Sequence, residues 1–191
     1  FTTKEPVHGL PSASLCDAEA TVKAFEDPET GHVSDSRFTA SLALRAAIAD
    51  DFEPLFACHE QAFCAHIVQL WGWDDAWQRR DFARLFAALS PLIVESGGTA
   101  CGYLQVQQRA EALHLVNIAL RPEARGQGIG GQLMSRLMRD ARAQELDVTL
   151  AVFRTNRRAG AFYSRLGFMV ENTTATHEHR RWSFATALPR A

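Results

Sequence analysis

Residues 121–132 read Arg121-Pro122-Glu123-Ala124-Arg125-Gly126-Gln127-Gly128-Ile129-Gly130-Gly131-Gln132, with four glycines in six consecutive positions. An apolar run rich in branched residues, 113–120, precedes this stretch and is long enough for a buried strand. Beyond it Ile129, Leu133, Met134, Leu137, Met138 and Ala141 recur at helical spacing, with Arg136, Arg139, Asp140 and Arg142 on the opposite face. The order is strand, basic glycine-rich loop, amphipathic helix. Such glycines let a backbone approach a ligand closely and turn several N–H groups the same way. The positive end of the helix dipole stands directly behind them. The loop is therefore expected to hold phosphate.

Gly126, Gly128 and Gly131 satisfy a bare G-x-G-x-x-G pattern, but a dinucleotide fold needs more. There the glycines follow the strand at once, and an acidic residue ends the next strand roughly 20 residues on. Here Arg121 to Arg125 intervene, and the next strand ends in Val152-Phe153-Arg154 without an acid. A P-loop requires Gly-Lys followed by Ser or Thr, which the stretch lacks. Neither nucleotide motif fits.

Arg125, Gly128 and Gly130 form an R-x-x-G-x-G pattern that resembles the pyrophosphate loop of the GNAT superfamily of acyl-CoA-dependent N-acetyltransferases. Ile118-Ala119-Leu120-Arg121-Pro122 resembles the strand end before that loop. Asn156, Ala159, Phe162, Tyr163, Leu166, Gly167 and Phe168 resemble the family's second signature, N-x-x-A-x-x-x-Y-x-x-x-G-F. The blocks stand in the family's order and cover about residues 41–187. The resemblance implies a mixed α/β (α+β) fold. Its central twisted sheet would be mostly antiparallel, with one parallel strand pair splayed around an acyl-CoA cleft and helices on both faces. Residues 41–191 would form that domain, and residues 1–40 an extension.

Composition narrows the classes further. An apolar content of 47% with 22% charged residues is that of an ordinary soluble globular chain. The net charge of −2 gives no argument for nucleic acid. No uncharged apolar run approaches the roughly 20 residues needed to span a bilayer, so no membrane is expected. Charge is uneven along the chain: residues 1–60 carry net −7 and residues 61–191 net +5, the latter entirely as arginine on the basic side. Cys16, Cys58, Cys64 and Cys101 form no C-x-x-C pair and no secretory leader is read, so reduced thiols in a cytoplasm are expected.

Along the chain, residues 1–40 are rich in Pro, Gly, Ser, Thr and acids, with a short helix conceivable over 15–25. Residues 42–46 read as a strand. Asp50 and Glu53 read as N-cap and capping-box partner of a helix on which Phe52, Leu55, Phe56, His59 and Phe63 share a face. Cys58, His59, Cys64 and His66 have no structural zinc spacing, and helix packing is their expected role, with no metal. Trp71, Trp73 and Trp77 flank an N-cap at Asp74 or Asp75 of a helix running through Leu85. Core filling is the simpler role for these rings; the resemblance implies an alternative, an aromatic and acidic wall for a cationic amine. A hairpin is expected over 91–107, a strand parallel to 113–120 over 148–153, a helix over 157–165, and a closing strand pair over 168–173 and 181–187.

The resemblance also implies a site. Acetyl-CoA would be the co-substrate and the primary amine of a small molecule the acceptor. The alternatives are a protein or peptide amine, or a non-catalytic acyl-CoA-binding module. Coenzyme would be held by Arg125, Gly126, Gln127, Gly128, Ile129, Gly130 and Gly131 at the pyrophosphate, by Ile118, Ala119 and Leu120 on the strand before them, and by Asn156 and Phe162. Tyr163 would be the acid that protonates the departing thiolate. The oxyanion donor would be a backbone N–H near Ile118 or Ala119, where the family's strand bulges. His114 occupies the position where many members place a glutamate base, and imidazole suits that work; His177, Glu178, Asp74 and a water chain are alternatives. Paired subunits are common among proteins that resemble this one.

Overall fold

A computed structural model describes residues 42–186. The extension expected over residues 1–40 lies outside them. The strands are β1 (Leu42–Ala46), β2 (Leu92–Ser96), β3 (Thr99–Gln108), β4 (Ala112–Leu120), β5 (Asp147–Phe153), β6 (Met169–Thr173) and β7 (His177–Trp182). The helices are α1 (Phe52–Trp71), α2 (Asp75–Leu89), α3 (Ile129–Ala143) and α4 (Arg157–Arg165). All seven strands join one sheet in the order β1-β2-β3-β4-β5-β7-β6. Every neighbouring pair is antiparallel except β4 and β5. The crossover through α3 makes that pair parallel, as such a connection must.

The sheet is covered on both faces. On one, α1 and α2 bring Leu55, Phe56 and Phe82 onto Ile93, Tyr103 and Ala119. On the other, Met134 and Leu137 of α3 and Tyr163 of α4 pack on Leu113, Leu115, Val148 and Leu150. The apolar stripe read from 129–141 is the buried stripe of α3: Ile129, Leu133, Met134, Leu137 and Ala141 are all buried. Burying a leucine or phenylalanine on such a face contributes about 1.5–3 kcal/mol each.

Local starts and ends depart from the sequence reading in two places. The first helix does not start at Asp50. Ala49–Asp51 forms a 3-10 turn, and Asp51 becomes the N-cap residue. Its carboxylate accepts the Ile48 N–H at 2.8 Å and Arg45 Nη1 at 2.7 Å, while Glu53 is drawn to Arg79 instead. Asp74 does cap α2, accepting the Trp77 N–H at 3.0 Å. The last strand is His177–Trp182 rather than 181–187. Its polar residues are tolerated between β5 and β6 because they find partners: Arg180 with Glu178 at 2.6 Å and Ser164 at 2.8 Å, and Arg181 with Asp147 at 2.8 Å.

Two irregularities position the site. Gln105 pairs with Asn117 and Val106 with Leu115, so Val116 is an extra residue and β4 bulges there. The expected bulge near Ile118 and Ala119 therefore falls two to three residues earlier. The parallel ladder runs only from Ala112 and Asp147 to Leu115 and Leu150.

Candidate active site

Past Leu115 and Leu150 the two strands part, and a cleft opens between residues 115–118 of β4 and residues 150–153 of β5. It lies at the carboxyl ends of both parallel strands, where an open sheet presents backbone groups to a ligand. Asn156, Ala159 and Tyr163 of the α4 segment form one wall. His59, Phe63 and Ile67 of α1, with Gln78, Asp81, Phe82 and Leu85 of α2, form the other, and His177 closes one end.

Behind β4 the glycine loop leads into α3. Gly126 and Gly128 take positive φ values of 79° and 81°, which glycine adopts at no steric cost. Gly128 caps α3, and the first intrahelical bond runs from the Gln132 N–H to its carbonyl at 3.1 Å. The N–H groups of Ile129, Gly130 and Gly131 thus have no partner within the helix. Nothing stands within 4 Å of a Cβ built on Gly126, Gly128 or Gly131, so the side-chain directions of these three glycines are open. Arg125 braces the loop from outside: its Nε donates to the Leu120 carbonyl at 2.8 Å and its Nη2 to the Gln61 carbonyl at 3.5 Å. The Gln127 side chain donates to the Glu123 carbonyl at 2.7 Å. Amides left open at a helix N-terminus favour an anion.

Several polar groups on and beside the cleft walls are held by hydrogen bonds. Asn156 caps α4 through its Oδ1, which accepts the Ala159 N–H at 3.0 Å and leaves the amide nitrogen to the cleft side. Tyr163 packs edge-on between Phe162 and Phe168, and burial pushes its phenol above the usual range, with the Arg180 charge acting weakly against that shift. It stays protonated and can donate. His59 Nδ1 shares a 2.7 Å hydrogen bond with the Tyr103 hydroxyl, and burial raises that phenol too. His66 Nδ1 bonds Thr155 Oγ1 at 3.0 Å, and burial holds its imidazole below the usual range.

A family model for the acetyltransferase (GNAT) family matches residues 46–168, well over half of the chain. The chain belongs to the GNAT acetyltransferase family. The matched domain is one for acetyl transfer from acetyl-CoA. A 5-NmdU N-acetyltransferase of Pseudomonas phage PaMx11 is 34% identical over 82 residues, which are 41% of this chain and 56% of that protein. The match thus spans little more than half of the phage protein's length. The PaiA N-acetyltransferase of Thermoplasma acidophilum, solved with coenzyme A, has a TM-score of 0.62 at 19% identity over 75% of this chain and 99% of its own. The spermidine/spermine N-acetyltransferase SpeG of Vibrio cholerae has a TM-score of 0.58 at 17% identity, over 76% and 95%. At such identities these two structures establish likeness of fold.

Within this GNAT domain the expected residues separate. Tyr163, Asn156 and Ile118 line the cleft. Ala119 is buried on the α1–α2 face, and Leu120 packs toward α3. Phe162 packs beside Tyr163, its ring tip 3.7 Å from the Cβ position of Gly130, and so joins α4 to the start of α3. His114 is not among the residues that line the cleft. It pairs with Thr149 one step before the strands part, and its Nδ1 bonds Thr149 Oγ1 at 2.9 Å. Trp71 packs edge-on against Phe153 and stacks on His177, and Trp73 packs with the α1–α2 core, so α2 offers Gln78 and Asp81 to the cleft rather than a tryptophan wall. Among the described residues no group of three His, Cys, Asp or Glu side chains is placed to hold a metal. Sequence reading gave no site role to His59, Gln78 or Asn117; one face of α1 signalled burial for His59, and only the docking of that helix brings it to Tyr103.

Proposed function

We propose that this protein moves the acetyl group of acetyl-CoA to the primary amine of a small molecule by direct attack. The observation that carries the choice of acceptor is the stitching of α1 across one end of the cleft. His66 bonds Thr155, and Phe63, His66 and Trp71 pack on Phe153 at ring separations of 6.4, 5.8 and 6.1 Å. Trp71 also stacks on His177 at 6.2 Å. An extended peptide needs a continuous channel along the strand edges, and these contacts bridge it. A compact amine needs only the chamber between them and the α2 wall.

The geometry supports a division of labour. The open amides of Ile129 to Gly131 suit the diphosphate of the coenzyme, with Arg125 and Gln127 fixing the loop. The Asn156 amide and the exposed inner edge of β4 suit the pantetheine arm. A β4 N–H near the bulge meets the charge that develops on the carbonyl oxygen. The Tyr163 hydroxyl gives its proton to the sulfur as the C–S bond breaks, and the surplus proton on the nitrogen of the new C–N bond passes through solvent to restore the phenol.

Free-thiol release from acetyl-CoA, measured with spermidine, benzylamine, 5-NmdU and peptides with free N-terminal or lysine amines, tests this reading. The expected result is higher kcat/KM for a small amine than for any peptide. Faster peptide turnover would point to a protein acetyltransferase. Tight acetyl-CoA binding with no turnover on any amine would point to a binding module.

A further inference from the structure

The reaction needs a group that removes a proton from the acceptor ammonium, because a lysine-like alkylamine titrates at about pH 10.4 in water and is protonated near neutral pH. Resting on the function proposed above, we propose that His59 is that group and that Tyr103 is the residue positioning it. Among the described residues, four titratable side chains line the cleft: His59, Asp81, Tyr163 and His177. Tyr163 is on the α4 wall and is a protonated donor. Asp81 is a carboxylate already engaged by Arg84, Nη2 to Oδ1 at 2.7 Å, and suits attraction of an ammonium rather than removal of its proton. His177 lies at the rim, its Nδ1 tied to the neighbouring Thr176 hydroxyl and its ring 4.4 Å from that of Phe153.

His59 is different in place and in support. It is 8% exposed, set among Phe56, Phe63 and Phe82, and it lines the same cleft as the bulged residue Val116. Tyr103 is fully buried on β3 and its phenol remains neutral, so the hydroxyl is a fixed partner for Nδ1 at 2.7 Å. Which partner donates depends on the imidazole tautomer; in the tautomer that can serve as base, the Nδ1 N–H donates to the phenol oxygen. With Nδ1 committed, proton exchange with an amine falls to Nε2. Ionisable groups around it among the described residues include Cys58 on its own helix, Asp81 and Arg79 on α2, and Tyr103 beneath; Arg79 is drawn to Glu53 over the Phe56 ring. The step balances simply. The ammonium N–H bond breaks, its proton passes to Nε2, and the lone pair attacks the thioester carbon. Imidazolium then returns that proton to solvent.

The test uses the intact protein and whichever panel amine turns over fastest. His59→Gln is expected to lower kcat by about 10²- to 10⁴-fold, the span of general acid–base assistance, with coenzyme A affinity by calorimetry unchanged. Tyr103→Phe keeps the ring and deletes only the hydroxyl. It is expected to move the acidic limb of the kcat/KM–pH profile. It should also shift the His59 tautomer away from Nδ1–H in 15N spectra of the coenzyme A complex. Turnover by His59→Gln within about threefold of the parent overturns the assignment. If that variant no longer binds coenzyme A, Tyr103→Phe decides, and an unmoved acidic limb with an unchanged tautomer rejects the proposal. Absence of turnover by the unsubstituted protein on every amine strikes the proposed function instead.

Discussion

Leu115 and Leu150 are the last partners of the parallel β4–β5 ladder, and one residue later β4 bulges at Val116. The bulge changes which side of the sheet each later residue faces, since side chains alternate along a strand. Before it, Leu113 and Leu115 pack with α3 and α4; after it, Ile118 and Leu120 do so. Odd and even have exchanged. Asn117 and Ala119 are thereby turned to the α1–α2 face, where Asn117 donates to Gln105 at 2.7 Å beside the wall that carries His59. Splay and bulge together make one edge of β4 available to a ligand and one face polar enough to receive an amine.

The glycine loop should govern coenzyme affinity. Gly128 holds φ at 81°, a conformation that a β-branched side chain rarely adopts, and it caps the helix whose amides face the open space. Gly128→Val is expected to weaken acetyl-CoA binding at least about tenfold, equivalent to about 1.4 kcal/mol, by calorimetry. Its Tm should fall as well, by several degrees, because the left-handed φ strains a β-branched residue. Undiminished affinity would show that the diphosphate sits elsewhere.

Tyr163 makes a kinetic prediction with a clear sign. Burial raises its phenol, so the proton is in place throughout the neutral range and is still held above the ordinary tyrosine range. Tyr163→Phe should lower kcat by about 10²-fold or more while leaving the coenzyme dissociation constant alone. The parent should show no alkaline fall in kcat below about pH 10 from this residue. Robust thiol release by the phenylalanine variant would remove it from the mechanism.

Much of this arrangement was legible because single elements carry their own periodicity. The α3 stripe, the hairpin of β2 and β3, and the Asp74 cap of α2 are local patterns, and each is realised. What escaped depends on docking. The strand His177–Trp182 reads as polar, and only its neighbours Asp147, Glu171 and Ser164 explain why Arg180 and Arg181 are tolerated inside a sheet. The bulge at Val116 leaves no composition signal, since Leu115-Val116-Asn117-Ile118 reads as plain strand. His59 looked like one more residue on a buried helix face until α1 was laid over Tyr103.

Gly102 and Ala119 come so close across the β3–β4 ladder that a Cβ on Gly102 would lie 2.2 Å from the Ala119 carbonyl oxygen. Backbone on that side cannot yield without parting the strands. Gly102→Ala should destabilise the fold by about 1–3 kcal/mol in chemical denaturation, the usual range for overpacking. Gly131→Ala is a control within α3: nothing lies within 4 Å of its Cβ, and the helix should gain about 0.5–1 kcal/mol. Equal effects at the two sites would contradict the close approach.

Alkaline stability should report the buried thiol of α1. Burial pushes Cys58 up from 9.0 to about 11, with the nearby Arg121 and Arg125 charges acting against the shift. The folded state therefore keeps its proton where the unfolded chain has lost it. For a group raised in this way the stabilising contribution is complete below the unfolded value and is lost as pH climbs through the folded one. The window is pH 9 to about 11, and a shift of this size corresponds to roughly 2–3 kcal/mol. Tyr103 and Tyr163, both raised by burial, add to the same slope above about pH 10. Urea midpoints taken at half-unit steps should fall steadily across that window in the parent. In Cys58→Ala they should start lower, by the lost packing, but fall less between pH 9 and 10, before the phenols begin to titrate. Parallel curves for the two proteins would mean that the thiol ionises in the folded state as freely as in the unfolded one.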